Sequence, residues 1–225
     1  MGITVNALIN DAGQGEWGKF TETDLQRDLD IIQLNIGSLL ALTKYFLRDM
    51  VARSEGRVLQ VGSEAGKSPM PLLSVYAATK AFVISFSTAL AKELKDTNIT
   101  ITLLMPGASD TDFFHKAHME DTVTYREEEL SPPEEVAKDG YEALMKGENR
   151  IISGGKTKRH VWMANLMSDS SAAASNRKLM EPSDKDEQEG RTHSGHQPSR
   201  IEREAIKEKT RQSADDYPKE KIVKP

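Results

Sequence analysis

The sequence contains no cysteine. That absence excludes disulfides, thiol nucleophiles and thiolate metal sites, and it fits a reducing, cytoplasmic compartment. No run of 18 apolar residues is present, so no membrane span is predicted. The opening residues Met1-Gly2-Ile3-Thr4-Val5 lack the basic start and long apolar stretch of a signal peptide. Position 6 is Asn, so Met1-Gly2 does not meet the myristoylation pattern. Positive charge is also not in excess: the net charge of −5 argues against a nucleic-acid footprint. No internal repeat is visible.

What the 225 residues do contain is unevenly spread. Apolar residues concentrate before about Met167, and from Ser168 onward the pattern dissolves into Asp, Glu, Lys, Gln and Ser. This divides the chain into a folded part, 1–167, and a charged tail, 168–225, read as disordered or loosely helical. Within the first part, Ile3–Ile9 reads as a buried strand. Thr21 and Thr23 are candidate N-caps for a long helix over 24–52. Leu25, Leu29, Ile32, Ile36, Leu39, Thr43, Phe46 and Met50 step by three and four, which predicts its buried stripe. Arg57–Gly62 and Ile99–Met105 read as further strands, with a second long helix over about 75–95 between them. Ser131-Pro132-Pro133-Glu134 reads as a capped helix start ending at Gly147, followed by a short strand at Arg150–Ser153. Strands alternating with helices predict an α/β fold with a parallel sheet.

The chemistry concentrates in Ser63 and Tyr76-Ala77-Ala78-Thr79-Lys80. Tyr76 and Lys80, four apart, share a helix face. An ammonium about 5 Å from the phenol, at an effective dielectric of about 20, favours the phenolate by roughly 3 kcal/mol, or about 2 pK units. That predicts a tyrosine brought down toward the range useful for proton transfer. Ser63 ends an apolar strand thirteen residues upstream. Two weaker patterns compete. Gly13-Gln14-Gly15-Glu16-Trp17-Gly18 satisfies GxGxxG, but it leads into a polar linker rather than opening a helix, so it is not read as a dinucleotide fingerprint. His115 and His118, near Glu120 and Asp121, have metal-ligand residue types without a defined third ligand; no metal site is predicted.

Taken together, Asn10-Asp11-Ala12-Gly13, Asn35, Ser63, Tyr76, Lys80, Pro106-Gly107 and Thr111 resemble the short-chain dehydrogenase/reductase family, in that family's order over about residues 3–154. The resemblance implies the C-terminal portion of a Rossmann-like sheet, about four strands with flanking helices. It implies Tyr76 as acid/base, Lys80 lowering its pKa and holding the nicotinamide ribose, Ser63 holding the substrate oxygen, and Asn35 holding a relay water. Asn10, Ala12, Gly13, Pro106, Gly107 and Thr111 would contact NAD or NADP, with Thr111 on the nicotinamide amide. Asp11 stands where the family usually has asparagine. The family's glycine-rich phosphate turn, with about three strands and two or three helices, would precede residue 1. The implied reaction is hydride transfer between nicotinamide and a small-molecule carbonyl or alcohol, and the implied partner a second copy bound through the two long helices. Other readings also remain: a non-enzymatic truncated fragment, an interaction module using an open sheet edge, or one half of a split enzyme. Phe113, Phe114 and Met119 read equally as a substrate lid or a satellite core.

Overall fold

The computed structural model describes residues 3–183. Its centre is a four-stranded parallel sheet in the order β1-β2-β3-β4. The strands are β1 (Ala7–Asn10), β2 (Gly56–Val61), β3 (Ile99–Met105) and β4 (Arg150–Ile152). β3 alternates Ile and Thr over its first four residues and ends in Leu103-Leu104-Met105, and all but Thr100 are buried because both its faces are covered. The predicted first strand is shortened to four residues, since its ladder begins only where β2 supplies a partner, at Ala7↔Arg57. β1 pairs with β2 alone, so its other edge is unpaired among the described residues, and Ile9 is 54% exposed.

The two faces of the sheet separate by strand periodicity. Val58, Ile99 and Ile101 pack with Met50, while Leu103 and Met105 pack with Leu39, Val83 and Ile84. These contacts hold α2 (Leu39–Arg53) and α3 (Ser74–Glu93) on one face. On the other face Leu59 and Leu104 meet Leu144 of α6 (Pro133–Lys146). α6 closes at Gly147 with φ +71°, the left-handed cap its sequence predicts. Its start departs from expectation. Ser131 does not cap it; its N–H donates to the Ala108 carbonyl, and its own carbonyl accepts from Asp110, because that backbone is used in a bridge to Ser109. α3 alone among the described helices is long and apolar enough to cross a membrane, by length and composition. Here it lies on the sheet with Thr79, Lys80 and Ser87 buried.

The long helix expected over 24–52 is present but interrupted. α1 (Leu25–Ile32) leads through a π-helical turn at Gln33–Ser38 into α2. Asp24, rather than Thr21 or Thr23, is the N-cap, accepting from the Arg27 N–H at 2.9 Å. Thr23 instead donates to Asp28. The π turn shifts the helix phase, and the buried line becomes Asp28, Ile31, Asn35, Leu39, Thr43 and Met50. Leu25 and Ile32, expected in the stripe, are exposed, as are Leu40, Leu42 and Tyr45 further along.

The boundary at 167/168 is also corrected. α8 (Asp169–Leu179) follows α7 (Gly155–Ala164) and belongs to the folded unit, which runs to Ser183. Asn176 donates to Ser68 Oγ and the Pro69 carbonyl, both at 2.9 Å. Met180 joins a cluster with Leu73, Phe114, Ala117 and Met119. Two buried anchors, Ala172 and Met180, fix a segment whose composition is otherwise polar, and so few anchors escape a composition-based reading. The rest of the proposed tail, 184–225, lies outside the described residues.

Candidate active site

The C-terminal ends of all four strands open into one cleft of about 990 Å³. Parallel α/β sheets bind ligands at that end, where loops diverge and helices begin. The loop after β1 contributes Asp11 to Gly13, the loop after β2 Gly62 to Ala65, the turn after β3 Pro106 to Ser109, and the start of α7 Gly154 to Thr157. Two short helices, α4 (Phe113–Lys116) and α5 (Val123–Glu127), form its cover with Leu179 and Met180.

Ser63, Tyr76 and Lys80 meet at the base of this cleft. Ser63 is buried, its Oγ accepts from the Ala65 N–H at 3.1 Å, and its side chain hydrogen-bonds to the Tyr76 phenol. Lys80 lies one helical turn beyond Tyr76, its Nζ 5.7 Å from the ring centroid, and donates to the Val61 carbonyl at 2.9 Å. The electrostatics differ from the expectation. Burial pushes the Tyr76 phenol up to about 12; the Ser63 hydrogen bond opposes this and the neighbouring Glu64 charge adds to it. Burial also lowers Lys80 to about 8, partly offset by Asp11. The sequence argument counted the ammonium as a neighbour but not the water both groups lose. Desolvation here outweighs their attraction, and Tyr76 holds its proton at neutral pH.

Asn35 sits in the π turn and uses its whole amide. Its Oδ1 accepts from the Gln14 N–H, and its Nδ2 donates to the Gln14 carbonyl and Thr79 Oγ1, each at 2.9 Å. It therefore fixes the 11–16 loop to α3. Gly13 fits between this amide and the lysine: a Cβ there would stand 3.3 Å from Lys80 Nζ and 3.6 Å from Asn35 Oδ1. Ala12, Gly13, Pro106, Gly107 and Thr111 all line the cleft. Asn10 does not. Its Nδ2 donates to Thr43 Oγ1 and Gln60 Oε1 in a buried polar cluster, because the alternation of β1 turns it beneath the loop that follows. The GxGxxG segment opens no helix; α1 begins only at Leu25. His115 and His118 face separate carboxylates, Glu120 and Glu16.

Phe113 packs on Tyr76 with ring centroids 4.8 Å apart, while Phe114 and Met119 belong to the buried cluster beneath, the satellite core of the two readings of that segment. Sequence reasoning missed Glu64 and His160. The Glu64 carboxylate is largely buried beside Ser63, hydrogen-bonded from Ala108 and 3.3 Å from His160 Nδ1, with burial raising its pKa above the usual carboxylate range. Only the position of Glu64, directly after Ser63, pointed to it; His160 carried no local signal.

The model of the short chain dehydrogenase family matches residues 3–122. The chain is 39% identical over 105 residues to a very-long-chain 3-oxoacyl-CoA reductase from Mycosarcoma maydis, covering 46% of this chain and 30% of that protein. It is 31% identical over 154 residues to an NADP-dependent 3-hydroxy acid dehydrogenase from Schizosaccharomyces pombe, covering 66% and 60%. The chain thus spans between about a third and three fifths of these relatives' lengths. Among solved structures it is similar to a serine dehydrogenase complexed with NADP+, with a TM-score of 0.60 and 27% identity over 66% of this chain and 64% of that one. With the family model matching more than half of its residues, the chain belongs to the short-chain dehydrogenase family.

Proposed function

We propose that this chain carries the catalytic half of an NAD- or NADP-dependent oxidoreductase acting on a small carbonyl or alcohol, in a cytoplasmic setting. The observation that carries the reading is the convergence of Ser63, Tyr76 and Lys80 at the base of one cleft. The residues suit a nicotinamide ribose. Lys80 Nζ is buried with one carbonyl partner and further donors, and the Gly13 backbone passes close enough to it that a side chain would intrude. When bound, the nicotinamide supplies or accepts hydride. Ser63 holds the substrate oxygen beside Tyr76. Tyr76, protonated at neutral pH, donates its phenolic proton to that oxygen during reduction; the reverse direction needs the phenolate and therefore gains with rising pH. Lys80 offsets the charge left on the phenol. Asn35 and Gly13 keep the loop and the lysine in register.

Titration with NADH and NADPH tests the binding half, and Tyr76→Phe tests the chemistry. Binding tighter than millimolar is expected. Tyr76→Phe should keep it while turnover falls about 10²–10⁴-fold. An active Tyr76→Phe enzyme, or no binding of either nucleotide, removes this function. Two further features bear on partners. The exposed Leu40, Leu42 and Tyr45 of α2 support pairing of two copies through the long helices. The unpaired β1 edge with exposed Ile9 favours a second reading, in which another polypeptide completes the sheet.

A further inference from the structure

α7 has two apolar faces, and among the described residues only one is covered. Thr157 and Val161 turn inward, Val161 packing with Leu39, Val83 and Met105. Trp162 and Met163 in the last turn of α7 are exposed, as are Leu166 and Met167 in the turn that follows it; Trp162 is 63% and Leu166 67% exposed. Of the fifteen large hydrophobic residues exposed among the described residues, four fall within 162–167. The charge of this segment is also inverted. Residues 154–167 carry Lys156, Lys158 and Arg159 and no Asp or Glu, in a chain of net charge −5. Lys156 pairs with Glu128, while Lys158 and Arg159 are exposed with no carboxylate partner among the described residues.

We propose that the outer face of α7 docks the protein on an anionic phospholipid bilayer. An aromatic and aliphatic stripe flanked by unpaired cations matches the interfacial boundary, where tryptophan settles between headgroups and acyl chains and cations meet lipid phosphate. A protein partner would need carboxylates placed to suit Lys158 and Arg159, whereas an anionic membrane supplies that charge over its whole surface. The same helix lines the cleft with Lys156, Thr157 and His160. This proposal is independent of the oxidoreductase reading.

The test uses the full chain and sucrose-loaded vesicles of phosphatidylcholine, with or without about 30% phosphatidylglycerol. Trp17 is partly buried and donates to the Met180 carbonyl, so a blue shift of tryptophan emission reports Trp162. Co-sedimentation with the anionic vesicles, weakened by salt and accompanied by that shift, is expected. The double variants Trp162→Ser/Leu166→Ser and Lys158→Glu/Arg159→Glu should each bind about tenfold or more weakly, with unchanged circular dichroism and melting. No co-sedimentation at about 1 mM lipid, or equal binding by the folded variants, overturns the proposal. So does a Trp162→Ser/Leu166→Ser variant that turns a dimer into a monomer in sedimentation velocity, which would assign the face to a second copy.

Discussion

Lys80 is 5% exposed, and burial lowers its pKa from 10.5 to about 8. At about 1.4 kcal/mol per tenfold, its charged form is disfavoured in the fold by about 3 kcal/mol. A base with a depressed folded-state pKa binds fewer protons folded than unfolded between about 8 and 10.5. Stability contributed by this group therefore rises with pH across that window, and the full penalty applies at pH 7. Tyr76 runs the other way. Its pKa is raised from 10.0 to about 12, so above pH 10 the unfolded chain loses the phenolic proton first and stability falls. The clean window thus ends near pH 9.5, where about 2 kcal/mol of the lysine penalty has been relieved. Lys80→Met keeps the aliphatic bulk and removes the charge. We expect the variant to be more stable than the wild type at pH 7 by about 2 kcal/mol, allowing for the Val61 carbonyl left unpaired. The difference should shrink by about 2 kcal/mol by pH 9.5. Urea unfolding at the two pH values measures both numbers, and surface groups common to the two proteins cancel. A variant less stable than the wild type at pH 7, or one whose advantage does not change with pH, would refute the reasoning.

Three other perturbations probe the supports of the cleft. Gly66→Ala should destabilise by about 2–3 kcal/mol in urea unfolding, because its Cβ would lie 2.5–2.8 Å from the backbone of Lys80 and Ala81, atoms that cannot swing aside. Asn35→Ala strips three hydrogen bonds from the Gln14 backbone and Thr79 and should cost about 2–4 kcal/mol by the same assay; a loss under about 1 kcal/mol would show that water replaces the amide freely. Glu64 has its pKa raised by burial despite His160, so its charge opposes folding near neutrality, and this burden grows as pH rises through the carboxylate range. Glu64→Gln should be at least as stable as the wild type at pH 7 in thermal melts; a marked loss would mean that the His160 contact outweighs desolvation.

The fold was legible wherever burial is continuous along the chain. Ile99–Met105 could be bounded to the residue because six of the seven positions of this central parallel strand are buried, and Gly147 because only a left-handed residue ends that helix well. Legibility failed where a distant partner decides the outcome. Thr23 and Ser131 have good capping residue types, but Asp28 and the Ala108–Asp110 backbone claim them. α8 is polar in sequence and is held by Ser68, Pro69 and the pocket that receives Met180, a hundred residues away.

The site divides in the same way. Order and spacing were enough to bring Ser63, Tyr76 and Lys80 together, since a helical turn and a strand end fix their positions. Order and spacing were not enough to set their protonation. A neighbouring charge is local and can be read four residues away, whereas desolvation is the sum of everything packed around a group, including Phe113 on Tyr76 and the loop that Asn35 ties down. Asn10 shows the limit from the other side: its motif places it at the cleft, and a single step of strand alternation delivers its amide to Thr43 and Gln60 instead. A motif therefore locates chemistry to within a residue, and the packing around it decides which side chain performs it and in which charge state.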